Sequence, residues 1–217
     1  MTAHELAPLV VCGLHVLVAA GALLRGPGRR THQLVAAVAL ALAAWSFGVF
    51  AIRRAPDAAA GLAGQRVLHV AFSALPAFYH HLARVITGAA AARRSAVWIV
   101  YGVAAGFALV ALTALPLLVR GVVRTPRGWA PVTGSLALPL FVFYLATLAV
   151  TLRPLRAARL TPMVVASSLL LLAPLANFVG ALLQRLQLTT LELPPLLLPA
   201  GVVAAALVWF ATREMQS

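Results

Sequence analysis

The chain has 217 residues, 63% of them hydrophobic and 10% charged. A soluble domain keeps about a quarter of its residues charged, so this composition, with a mean hydropathy of +0.99, excludes a water-soluble domain and predicts one integral membrane bundle. The net charge of +13 comes from seventeen arginines and no lysine, dispersed between apolar runs; that pattern marks membrane flanks rather than a nucleic-acid surface, and it excludes a retinal Schiff base and a lysine nucleophile.

Seven apolar stretches approach the roughly 20 residues that cross a bilayer as a helix. They are predicted at 7–25, 33–53, 67–87, 95–119, 132–153, 161–184 and 191–212. The expected fold is an all-α single domain over 1–217, a bundle of seven transmembrane helices. The first run follows "MTAHELAP", which lacks a basic leader, and so reads as a retained span. Cys12 is the one cysteine, which rules out an intrachain disulfide or a thiolate cluster.

Punctuated loops separate the runs: "RGPGRRTH", "RRAPDAAAGLAGQR", "GAAAARRS", "RGVVRTPRGWAPVTG", "RPLRAARLTP" and "QRLQLTT". In the second, Asp57 is placed to cap a short interfacial helix through "AAAGLAGQR". Arginine bias sets the orientation. Ten arginines lie on the side of loops one, three, five and the C-terminus, against seven on the other. The N-terminus is therefore expected outside and the C-terminus in the cytoplasm.

The third run carries a polar stripe. At about 100° per residue, Arg66, His69, Ser73, Pro76, His80, Arg84 and Thr87 fall within an arc of roughly 80°. Such groups turn away from lipid, because unsatisfied donors there cost several kcal/mol. Arg66, His69 and Ser73 are candidate ligand-binding residues, with Trp45, Asn177 and Glu192 supplied by the second, sixth and seventh runs. Pro76, His80, Arg84 and Pro199 are candidates for signal coupling or helix packing. The bland reading is helix-to-helix glue, with Arg84 and His81 snorkelling to the surface.

Other chemistries find little support in the residues. A bis-histidine haem would need His15 to face His69 or His80, and no cofactor or metal is otherwise expected. No GxSxG, HExxH or intramembrane aspartate pair occurs. The four acids, Glu5, Asp57, Glu192 and Glu214, fall at ends or loops, whereas a proton-coupled transporter places one near the midplane.

The chain resembles the N-terminal seven-transmembrane sensor region of bacterial histidine kinases, a module that also precedes diguanylate cyclases. Three places carry the likeness: "AAWSFGVFAIRRAPD" with "GQRVLHVAFSALPAFYHHLARVITG", then "RGWAPVTGSLALPLFVFYLATL", then "LPPLLLPAGVVAAALVWFATREM". The matching positions are Trp45, Pro76, His80, Gly128, Trp129, Gly134 and Pro199. The resemblance implies a multi-pass protein of the bacterial cytoplasmic membrane. It would be a non-catalytic sensor that reads a small ligand or a membrane state and signals through a protein partner. The family continues into an output domain where this chain stops at "REMQS", leaving a stand-alone relative or a fragment. The alternative is a structural or accessory subunit of a larger membrane complex.

Overall fold

A computed structural model describes residues 3–89, 94–125 and 128–185. The predicted seventh span, with Glu192 and Pro199, lies outside them. Within them the chain forms six α-helices and one β-hairpin: α1 Ala3–Arg25, α2 Arg30–Arg54, α3 Ala58–Ile86, α4 Arg94–Thr113, β1 Val119–Thr125, β2 Gly128–Thr133, α5 Ala137–Ala157 and α6 Thr161–Arg185. Four helices, α1, α2, α4 and α5, are long and apolar enough to cross a membrane. Their outward faces bear exposed Leu17, Leu24, Trp98, Ile99, Leu109, Leu138 and Val150. In water such a surface would drive aggregation, and in acyl chains it is matched. The chain is a largely helical protein of membrane type.

Two sequence expectations are corrected. The second loop and third span are one helix of 29 residues. Asp57 does cap it, accepting from the Ala60 amide at 2.8 Å, but the helical backbone runs on from Ala58 to Ile86 without a break. The fourth span ends at Thr113, not at 119, and the fifth begins at Ala137, not at 132. Hydropathy runs on through "LPLLV", yet Pro116 has no N–H and disfavours helix at the residue before it. Here the chain turns through a single 3-10 turn, Leu115–Leu117, into β1. Leu115, Leu118 and Val119 keep their apolar surface buried by packing on Ala111 and Leu140.

The segment read as an outer loop is therefore an antiparallel hairpin. Val122 pairs with Pro131 and Arg124 with Trp129, and the register is broken once, between Val119 and Gly121. β-Branched valines at 119, 122 and 123 suit the extended backbone.

α3 is the central element, in contact with α2, α4, α5 and the hairpin. It is not among the four helices long and apolar enough to cross a membrane, and instead of facing lipid it is surrounded: Leu75, Tyr79, Leu82 and Ala83 are completely buried. α2 approaches it closely at glycines. A Cβ on Gly48 would stand 2.9 Å from the Leu68 amide nitrogen, and one on Gly64 would stand 3.0 Å from that of Ile52. Small residues at crossing points are the usual means of tight helix association in bilayers, where no hydrophobic effect drives it.

Candidate functional site

The polar residues of α3 are distributed along its length and are satisfied differently at each level. Ser73 bonds back to the His69 carbonyl at 2.7 Å, and His69 Nδ1 donates to the Gln65 carbonyl at 2.8 Å. These two residues are thus tied to their own helix. Ser73 is fully buried, His69 is half-buried, and Arg66 is exposed at the far end of the stripe. Pro76 is buried in mid-helix and leaves the Phe72 carbonyl without its usual donor four residues on.

Below Pro76 the bonds cross between helices. Tyr79 donates to the Met163 carbonyl of α6 at 2.8 Å, and Ser167 Oγ lies 2.9 Å from the same phenol oxygen. His80 Nδ1 lies 2.9 Å from Thr151 Oγ1 on α5, while that hydroxyl donates to the Thr147 carbonyl at 2.7 Å. A hydroxyl has one proton, so His80 Nδ1 is the donor and Nε2 carries the lone pair. His81 Nδ1 meets the Tyr101 hydroxyl of α4 at 3.0 Å, with the two rings edge to face. Arg84 donates from Nη2 to the Ala89 carbonyl at 2.7 Å. Three consecutive residues of α3 therefore hold three different helices.

At the other end, α3 is held by the hairpin. Trp129 Nε1 and Arg124 Nη1 both donate to the Ala55 carbonyl, at 3.0 and 3.1 Å. The Arg124 guanidinium also lies 5.2 Å from the centre of the Trp129 ring. Gly61 admits that indole, since a Cβ there would sit 3.0 Å from Trp129 Cγ. Gly128, at φ +115°, presses its Cα onto the Arg53 backbone. Trp129→Phe keeps an aromatic ring but loses the indole N–H and its bond to Ala55, and should lower stability by about 1 kcal/mol or more. Chemical unfolding in detergent measures this, and Arg120→Gln at an exposed hairpin position should leave the midpoint unchanged.

The other predicted residues are placed as follows. Trp45 is buried in the main core, edge to face with Phe72 at 6.0 Å, and Phe72 stacks on Tyr144 at 4.2 Å. Asn177 falls within α6, though its side chain is outside the described residues, as are Glu192 and Pro199. The imidazoles considered for haem have separate surroundings. His15 is buried on α1, which packs on α2, while His69 bonds within α3 and His80 bonds to α5. Among the described residues no group of three His, Cys, Asp or Glu could hold a metal ion.

Sequence reasoning passed over Tyr101, Tyr144, Thr151 and Ser167, and saw in Tyr79, as in His81, only a polar residue breaking the pattern of the stripe. Tyr79 stood outside the stripe by angle, yet a tyrosine deep in a membrane helix needs a partner for its hydroxyl, and that signal was present. Thr151 and Ser167 gave none, because hydroxyls that bond their own helix are common anywhere in a span. No family model, curated protein or solved structure matches this chain.

Proposed function

We propose that this protein is a seven-helix membrane sensor, N-terminus outside and C-terminus cytoplasmic. In this reading it reads a small apolar ligand or the state of the bilayer, and signals to a protein partner without catalysis. A bacterial cytoplasmic membrane suits the resemblance that its sequence carries. One observation supports the reading above others: α3 is a single rod of 29 residues, about 43 Å at 1.5 Å per residue, tied at both ends. Its start is clamped by the hairpin through Gly61, Trp129 and Ala55. Its end is bonded to α4, α5 and α6 through His81, His80 and Tyr79. A displacement at the hairpin is passed along such a rod, and buried Pro76 supplies a compliant point.

The test is distance measurement between spin labels at Gly28→Cys and Ala158→Cys in a Cys12→Ser background. Both sites are exposed at the end opposite the hairpin. With the protein in phosphatidylcholine bilayers of short and of long acyl chains, and with a series of apolar small molecules, the distance distribution should shift. Pro76→Ala should reduce that shift. A distribution unmoved by every condition sinks the sensor reading. A stoichiometric membrane partner co-purifying in mild detergent, with transport or redox chemistry of its own, would favour the accessory-subunit reading instead.

A further inference from the structure

At the end of the bundle where α2 and α4 begin and α3 finishes, cationic and hydrogen-bonding side chains gather near two atoms left unsatisfied among the described residues. His81 and Tyr101 are joined at 3.0 Å, and Arg30 stands within electrostatic reach of both. Arg84 spends Nη2 on Ala89, but its Nε is buried with no hydrogen-bond partner among the described residues. One turn back on the same face, His80 Nε2 is in the same condition, in a residue 4% exposed. The ring of His80 also lies in the field of Arg84. Exposed Arg30 thus bears on His81 and Tyr101, and half-buried Arg84 on the buried ring of His80 one turn back.

Residues 25–30, 84–94 and 153–161 contain no Asp or Glu, and Arg94, Arg153, Arg156 and Arg159 are exposed at this same end. A buried guanidinium N–H without an acceptor is costly, and a phosphate oxygen is the acceptor that the guanidinium fork fits best. Helix ends rich in arginine also sit at the depth of lipid phosphates. The acceptor at His80 Nε2 asks for something different, a hydroxyl that donates.

We propose that Arg84, Arg30, His81 and Tyr101 form a site for the phosphate of an anionic phospholipid headgroup, with His80 Nε2 receiving a headgroup hydroxyl. This goes beyond the sensor reading and stands whether or not that reading holds. The test uses the full-length protein, reconstituted in equal amounts of phosphatidylglycerol and phosphatidylcholine, and native mass spectrometry of the lipid it retains. Phosphatidylglycerol should be enriched, and Arg84→Gln and Arg30→Gln should each cut that enrichment roughly fivefold, as about 1 kcal/mol per arginine at a membrane surface implies. Arg30 is exposed, so its variant reports on binding even if Arg84→Gln fails to fold. Arg120→Gln, exposed at the opposite end, should change nothing. Equal retention of the two lipids, or enrichment indifferent to both variants, overturns the proposal. Displacement of the lipid by millimolar inorganic phosphate would instead assign the site to free phosphate and overturn the lipid as its source.

Discussion

Gly64→Leu should separate α2 from α3 and abolish the folded bundle in detergent, the largest single-residue effect expected in this protein. A Cβ at Gly64 would lie 2.8 Å from Ile52 Cγ1 and 3.0 Å from the Ile52 amide nitrogen. The side-chain contact can relax, but the backbone one cannot without moving a helix. Overpacking of a tight core costs about 1–3 kcal/mol and occasionally more, and a leucine here adds three further carbons to a site with no room for the first. Gly64→Ala should cost roughly 1 kcal/mol, as the Cβ alone must be accommodated. Gly106→Leu on α4, where nothing lies within 4 Å, should be tolerated. Thermal unfolding followed by size-exclusion homogeneity separates the three. If Gly64→Leu is as stable as Gly106→Leu, the close crossing of α2 and α3 is wrong.

The second large effect concerns a proline and the tyrosine that compensates for it. Pro174 lies inside α6, and a proline has no N–H to give to the carbonyl four residues before it, which is that of Leu170. Tyr144, completely buried on α5, donates its hydroxyl to that carbonyl at 3.1 Å. The cross-helix bond thus replaces the one that the proline removes. Tyr144→Phe should destabilise the protein by about 2 kcal/mol, the cost of a buried acceptor left unsatisfied. Pro174→Ala restores the missing donor, so in that background Tyr144→Phe should cost less by about 1 kcal/mol or more. A double-mutant cycle reads that difference directly. Additive effects would show that the Leu170 carbonyl is not what Tyr144 serves. Tyr79→Phe makes a useful contrast: Met163 precedes Ser167, which does have an N–H, so no proline variant should rescue it.

Much of the helical plan was readable from the residues, for reasons that are local. Apolar runs long enough to span a bilayer, set between arginine-rich connections, leave a helix as the one arrangement in which each run satisfies its own backbone. α1, α2 and α6 lie within a few residues of their predicted ranges, and Asp57 caps α3 as its side chain and position require. The hairpin was not readable as one. Its strands are short, interrupted by arginines and proline, and adjoin an apolar run whose hydropathy masks the end of α4. What makes Val119–Thr133 a hairpin is its docking on the α2–α3 turn, through Gly128 against Arg53 and Trp129 against Gly61. A pairing of that kind is absent from any local window.

The candidate site divides in the same way. Angle alone put His80 and Arg84 on one face with Ser73 and Pro76, and these positions are buried or half-buried. Angle could not say that Arg66 would be exposed, nor that Tyr79, outside the stripe, would lie fully buried and bonded to α6. By itself the sequence determined that this protein is a helical one of membrane type, where its described helices broadly lie, and that α3 is the polar one among them. These follow from hydropathy and period, which each segment carries alone. Only the tertiary structure decided that α3 is central, that Tyr144 answers the proline of another helix, and that Arg84 and His80, one turn apart, each keep an atom unsatisfied among the described residues. Hydrogen bonds are matched between partners, and which partners meet depends on how the helices cross.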